Sequence, residues 1–151
     1  MKSNILMVED DENDVFLMQR AFGKAGVSAQ IHVARDGREA LRYLHGDAEY
    51  ADRERHPLPC LTLLDLNLPY VHGLQVLEQI RETPNLRPLI VVVVTSSVAD
   101  SDIEKAYALG ANSYLSKPNA LEGFQEMAEL ISRYWLKRNK LPNSTFNHCA
   151  T

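Results

Sequence analysis

Apolar residues along the chain fall into two alternating kinds of segment: short, nearly unbroken runs, and longer stretches with helical spacing. "NILMV" (4–8) is a run of strand length. "NDVFLMQRAFGKAG" (13–26) follows, with Val15, Met18, Ala21 and Phe22 on one helical face and a glycine at its end. "AQIHVA" (29–34) alternates as a strand does, and "DGREALRYLHG" (36–46) predicts a helix with an aspartate start, a face of Ala40, Leu41 and Leu44, and a terminal glycine. The charged, proline-ended stretch 47–59 reads as an exposed connection longer than usual. "CLTLLDL" (60–66) is a third strand, and "GLQVLEQIRET" (73–83) a helix with Leu74, Leu77 and Ile80 on one side. "LIVVVVT" (89–95) is almost entirely β-branched, which suits a strand covered on both faces. A helix over 99–110, a short strand "NSYLS" (112–116) and a long helix over 119–140 complete the series, with Asn119 as N-cap and Glu122 as its capping-box partner.

The order is (βα)5, which predicts an α/β fold with a doubly wound, five-stranded parallel sheet and helices on both faces. In such folds the functional crevice lies beyond the carboxyl ends of the strands. Strand one ends in Glu9-Asp10, strand three near Asp65, strand four in Thr95-Ser96 and strand five in Ser116-Lys117-Pro118. Taken singly, each feature has a bland meaning: a helix cap, a strand end, a surface bend. Together they place three carboxylates, a hydroxyl and an ammonium on one edge of the sheet. Crowded carboxylates repel unless a cation intervenes. A hard oxygen set suits Mg2+ (or Mn2+) with a phosphoryl oxygen completing its shell. Lys117 adds a positive point charge for a second phosphoryl oxygen, and the Thr95 hydroxyl can donate to a third.

Composition narrows the function classes. The 151 residues carry a net charge of −4, and no basic stripe of the kind that reads nucleic acid is present. The local cluster "WLKRNK" reads as a helix end, where cations favour the dipole. Cys60 and Cys149 lack metal-ligand spacing, and Cys60 is expected as a small packing residue. The N-terminus turns acidic too early for a signal peptide, and no run reaches membrane-span length. A cytoplasmic protein is expected, which leaves the "NST" sequon at Asn143 without meaning.

At these residues the chain resembles the response-regulator receiver domains of two-component signalling, which have a flavodoxin-like fold. The resemblance rests on "VEDD" with Glu9 and Asp10, "LLDLNLPYVHG" with Asp65, "VVTSS" with Thr95, and "SYLSKP" with Tyr114 and Lys117. It implies Asp65 as phosphoacceptor from a sensor histidine kinase. It also implies Mg2+ held by Asp10, Asp65 and the backbone carbonyl of Asn67, with Glu9 acting through a metal-bound water. Thr95 and Tyr114 would be switch residues, and a cis peptide is expected at Lys117–Pro118. The family often has Phe after Lys-Pro, where this chain has Asn119. Asn67 and Ser97 occupy positions that commonly tune phosphoryl lifetime.

The expected organisation is a receiver over 1–140 and an extension over 141–151 that packs on a dimer partner, with no output domain attached. The last helix carries Leu130, Tyr134 and Leu141 beyond the stripe Phe124, Ala128, Ile131 and Trp135, so a second burial surface is expected. "YWLKRNKLP", the long connection and "DLNLP" resemble the stand-alone regulators of phytochrome photoreceptor kinases, which implies a homodimer with Leu130, Tyr134 and Trp135 near the seam. The reading is a signalling protein, not an enzyme, with no nucleic acid or membrane as partner. Two alternatives stand beside it. One is a pseudo-receiver docking module. The other is a Mg2+-dependent phosphohydrolase, although related hydrolases carry a second aspartate where this chain has Asn67.

Overall fold

The structure, a computed structural model, describes residues 3–142. Five strands, β1 (Ser3–Val8), β2 (Ala29–Ala34), β3 (Leu61–Leu64), β4 (Val91–Thr95) and β5 (Ser113–Ser116), pair in parallel in the order β2-β1-β3-β4-β5. Between them run α1 (Glu12–Lys24), α2 (Gly37–His45), α3 (Gly73–Glu82) and α4 (Asp100–Ala108), and α5 (Leu121–Ile131) follows β5. The expected doubly wound sheet is present.

Strand side chains alternate between two cores, because successive residues of a strand point to opposite faces. Leu6, Val8, Leu64, Val91 and Val93 pack with α2, α3 and α4, whereas Ile5, Met7, Leu61, Leu63, Val92 and Val94 pack with α1 and α5. The runs look unbroken in sequence because both faces are covered. All four apolar residues chosen for α1 are buried.

Several details differ from expectation. α5 starts at Leu121 with Ala120 as its N-cap and no side-chain cap, so Asn119 does not open the helix. Past Ile131 the helix widens into a π-helical stretch over Ser132–Arg138, where the Ser132 hydroxyl donates to the Ala128 carbonyl at 2.5 Å. No cis peptide occurs among the described residues, so Lys117–Pro118 is trans, the form X–Pro bonds favour by about 0.5–1 kcal/mol. Cys60 is buried at the head of β3 as expected but is not a free thiol. Cys149 and Asn143 lie outside the described residues.

The long connection is anchored, not free. It opens with a 3-10 turn (Ala48–Tyr50), and Arg53 donates to the carbonyls of Tyr43 and His56 at 2.8 and 3.1 Å and to that of Leu44 at 2.6 Å. The Tyr43 hydroxyl donates to the Pro57 carbonyl at 3.0 Å. Around it gathers an aromatic cluster of His32, Tyr43, Tyr50 and His56, in which His32 Nε2 and His56 Nδ1 are buried without hydrogen-bond partners.

Burial, and then the charge of the neighbouring His56, hold the His32 imidazole below its usual 6.5. As pH falls through that value, the unfolded chain takes up a proton that the folded state refuses. Stability is therefore full above the unfolded value and declines as pH drops toward the folded one. Between about pH 7.5 and about pH 5.5 the urea midpoint of the wild type is expected to fall relative to that of His32→Gln, a difference that isolates this imidazole from the other titrating groups.

Candidate functional site

β1 and β3 are neighbours, but the chain leaves them in opposite directions across the sheet, which opens a crevice at their carboxyl ends. Glu9 and Asp10 follow β1 directly, and Asp65 follows β3. Carboxylate oxygens of Glu9, Asp10 and Asp65 lie within 4.8 Å of one another. Glu9 and Asp65 are buried, whereas Asp10 is exposed. Glu9 is turned inward by its own backbone: its carboxylate accepts from the N–H groups of Asp10 at 3.0 Å and Asp11 at 3.4 Å. Asp11 caps α1 through the N–H groups of Asn13 and Asp14.

Lys117, just past β5, reaches across the crevice. Its ammonium is 2.9 Å from Asp65 and 2.9 Å from Asp14, and it also pairs with Glu9. One cation thus serves three carboxylates. Burial opposes the charge of Asp65, but hydrogen bonding from Lys117, with smaller help from Glu9 and Thr95, holds its carboxyl below the usual range. Burial pushes Glu9 the other way, up to about 8, with Asp65 reinforcing the shift and Lys117 opposing it. Burial also opposes the charge of Lys117, yet its three carboxylate partners raise its affinity for the proton. Of the two, Asp65 is the one whose charge its surroundings favour, whereas burial works against a charge on Glu9. An all-oxygen set of this kind fits a hard divalent cation such as Mg2+ or Mn2+.

The remaining expected residues fall around this centre or away from it. Thr95 is buried at the end of β4, and its hydroxyl oxygen accepts from the Ser97 N–H at 3.4 Å. Tyr114 is half-buried and donates to the Ser97 carbonyl at 2.9 Å. Asn67 is exposed, with its N–H 3.4 Å from the Asp65 carboxylate. Leu130 and Tyr134 are both exposed, far along α5 and its continuation. Trp135, expected with them at a seam, is half-buried against the protein's own core beside α1 and α5. Leu141 packs on the opposite core, and the rest of the extension lies outside the described residues apart from Pro142.

Asp14 was not foreseen. Its signal was present: it sits one residue before the buried Val15, on the helix that starts at the acidic strand end. The turn after Asp65 is closely packed. An added Cβ at Gly73 would meet the Asp65 carbonyl oxygen at 2.2 Å, and one at Gly37 would meet the Val71 carbonyl oxygen at 2.1 Å. The α3 and α2 N-termini thus abut the backbone that carries the site. Among the described residues no helix is long and apolar enough to cross a membrane.

Comparison with known proteins agrees with this architecture. The family model for the response regulator receiver domain matches residues 5–129. The probable methanogenesis regulatory protein FilR2 of Methanothrix harundinacea is 41% identical over 138 residues, 91% of this chain and 86% of that protein. Response regulator Rcp1 of Synechocystis sp. is 37% identical over 138 residues, 91% of this chain and 92% of its own length. The crystal structure of Mn2+-bound Rcp1 superposes with a TM-score of 0.84 at 36% identity, over 93% of this chain and 99% of that one. The phosphorylated cyanobacterial phytochrome response regulator RcpA superposes with a TM-score of 0.88 at 36% identity, over 94% and 99% of the two chains. With its parallel five-stranded sheet, its acidic crevice and these likenesses, the chain belongs to the response regulator receiver domain family of two-component signalling.

Proposed function

We propose that this chain accepts a phosphoryl group on Asp65 from a phosphohistidine of a sensor kinase of the phytochrome type. The observation that carries the reading is the Asp65 carboxylate, ionised at the mouth of the β1–β3 crevice, with the Lys117 ammonium 2.9 Å away. A carboxylate oxygen of Asp65 attacks phosphorus, the new C–O–P linkage forms as the P–N bond breaks, and the electron pair leaves on the imidazole nitrogen. Lys117 is placed to follow the charge onto a phosphoryl oxygen, and Thr95 to donate a hydrogen bond to another. Asp10, Asp65 and the Asn67 carbonyl would hold Mg2+ (or Mn2+), with Glu9 supporting it through water, and the ion would supply charge neutralisation of the transferring group. The likeness to RcpA and Rcp1 supports a phytochrome-type kinase as partner. The protein acts in the cytoplasm as a signalling component whose output is partner binding. Exposed Leu130 and Tyr134 on the last helix support a homodimer. Sedimentation at high micromolar concentration is expected to give a dimer, and a monomer there removes that part of the reading.

The test of the whole is radiolabel transfer from the autophosphorylated catalytic core of a phytochrome kinase. Label is expected to move to this chain, and no transfer from any histidine kinase would instead favour a docking role. Metal binding gives an independent check. At about 100 times its Kd a folded-state ligand adds ~2.7 kcal/mol, which corresponds to a rise of several degrees in melting temperature for a chain of this size. Mg2+ is expected to raise the midpoint, a chelator to reverse it, and Asp10→Ala to remove most of the increment.

A further inference from the structure

Asp14 is the carboxylate at this site that the phosphoryl chemistry above does not use. It stands outside the metal-binding group, whose oxygens within 4.8 Å of one another belong to Glu9, Asp10 and Asp65. Yet its carboxylate is 2.9 Å from the Lys117 ammonium, the same distance as that of Asp65. Both oxygens approach one nitrogen, so they are no further apart than twice that separation. An ammonium offers three N–H groups, and the carboxylates of Glu9, Asp14 and Asp65 all draw on them.

Two features keep the Asp14 charge effective at Asp65. Asp14 lies in the first turn of α1, where the orphan N–H groups of the helix favour a negative charge. Its side chain is only 22% exposed and lines, with Glu9 and Asp65, a recess of about 20 Å3 whose other walls include Met18 and Phe124. Little water is left there to screen the field, and a unit charge a few ångströms away is felt strongly when screening is weak. Lys117, by contrast, does not need Asp14 to stay in place. Glu9 also pairs with the ammonium, and the lysine side chain is itself largely buried. Asp14 thus adds negative charge to the crevice without being needed to aim its cation.

We propose that Asp14 is a counter-charge that limits how tightly the Asp65 site holds a phosphoryl group, by competing for the Lys117 ammonium and by repelling the phosphoryl oxygens beside it. The inference rests on the reading of Asp65 as phosphoacceptor. A phosphoryl group there carries more negative charge than the carboxylate alone, and it takes its hydrogen bond from an ammonium that Asp14 already shares. Asp14 therefore disfavours the phosphoryl-bearing state relative to the free one. Its effect on a cation has the opposite sign, since the same charge favours Mg2+ nearby.

The experiment compares wild type with Asp14→Asn, Asp14→Ala and Asp14→Glu by calorimetric titration. Mg2+ is titrated alone, and beryllofluoride, the acyl-phosphate mimic, is then titrated at saturating Mg2+. Asp14→Asn keeps the shape and an acceptor oxygen for Lys117, so it removes the charge alone. Asp14→Asn and Asp14→Ala are expected to tighten the apparent Kd for beryllofluoride about 3- to 10-fold, as one partly screened charge at this separation would give. Both are expected to weaken Mg2+ binding. Asp14→Glu retains the charge and is expected to stay within about twofold of wild type in both titrations. Opposite signs for anion and cation mark an effect of charge, whereas a merely structural role would weaken both. Unchanged or weaker beryllofluoride binding in Asp14→Asn overturns the proposal, as does an Asp14→Glu variant that tightens as much as Asp14→Ala. If wild type itself binds no beryllofluoride, the Asp65 reading fails. The Mg2+ titrations then still decide the role of Asp14, and an unchanged Mg2+ affinity in Asp14→Asn overturns it.

Discussion

Asp65→Asn is expected to take up no label from acetyl phosphate or from a phosphorylated kinase, while folding normally. The amide carries no charge and no nucleophilic oxygen lone pair of carboxylate strength, so the C–O–P linkage has nothing to form on. The fold is expected to survive because Lys117 keeps Glu9 and Asp14 as partners, so no buried charge is stranded by the change. Removing one of three carboxylates around a single ammonium also relieves the part of the upward shift of Glu9 that Asp65 adds to that of burial. The measurement is radiolabel incorporation beside a urea melt of the same sample. Label retained in a folded Asp65→Asn protein would put the acceptor elsewhere and sink the proposed function.

Gly73→Ala is expected to damage both stability and labelling. The Cβ it adds would stand 2.2 Å from the Asp65 carbonyl oxygen and 2.6 Å from the Leu66 Cα, both backbone atoms that cannot rotate aside. Gly73 is also tied to this turn by its N–H, which donates to the Leu66 carbonyl at 2.8 Å. Overpacking of this kind costs about 1–3 kcal/mol and here displaces main chain, so the upper end or beyond is expected. Because the displaced residue is Asp65 itself, the rate of labelling should fall with the stability. Gly37→Ala supplies the contrast. Its Cβ meets the Val71 carbonyl oxygen at 2.1 Å, six residues past Asp65. A comparable loss of urea midpoint is expected, with a smaller loss of labelling per unit of stability. Equal labelling in Gly73→Ala and wild type would show that the turn yields without moving the carboxylate.

Gly73 lets α3 approach the backbone that carries Asp65. It does not bear on the reacting atoms directly. Positioning of this kind matters in phosphoryl transfer because most of the catalysis is placement of charge around a loose transition state.

Much of this was legible in the residues alone. Hydrophobic period separated strands from helices, and β2 falls on the same residues, 29–34, that alternation marked. Strand order in a doubly wound sheet then put Glu9, Asp10, Asp65, Thr95 and Lys117 at one edge, because topology alone decides which strand ends are neighbours. Ends of elements were less legible. "LIVVVVT" runs two residues beyond the ladder that begins at Val91, since apolar residues serve a core whether or not their backbone pairs. Asn119 had the chemistry of a cap, but the helix begins two residues later.

By itself, then, the sequence determined the sheet, its two covered faces and the chemical types gathered at the carboxyl edge, since these follow from periodicity and connectivity. Only the tertiary structure decided how the charges divide: that Lys117 serves Asp14 as well as Glu9 and Asp65, and that Trp135 turns inward while Tyr134 faces solvent. It also decided that His56, in the connection read as exposed, meets His32 of β2, and that Ser97 ties Asp102 to Tyr114. The reason is common to all of these. Ion pairs and hydrogen bonds depend on separations of a few ångströms between residues far apart in the chain, and no local pattern encodes such distances.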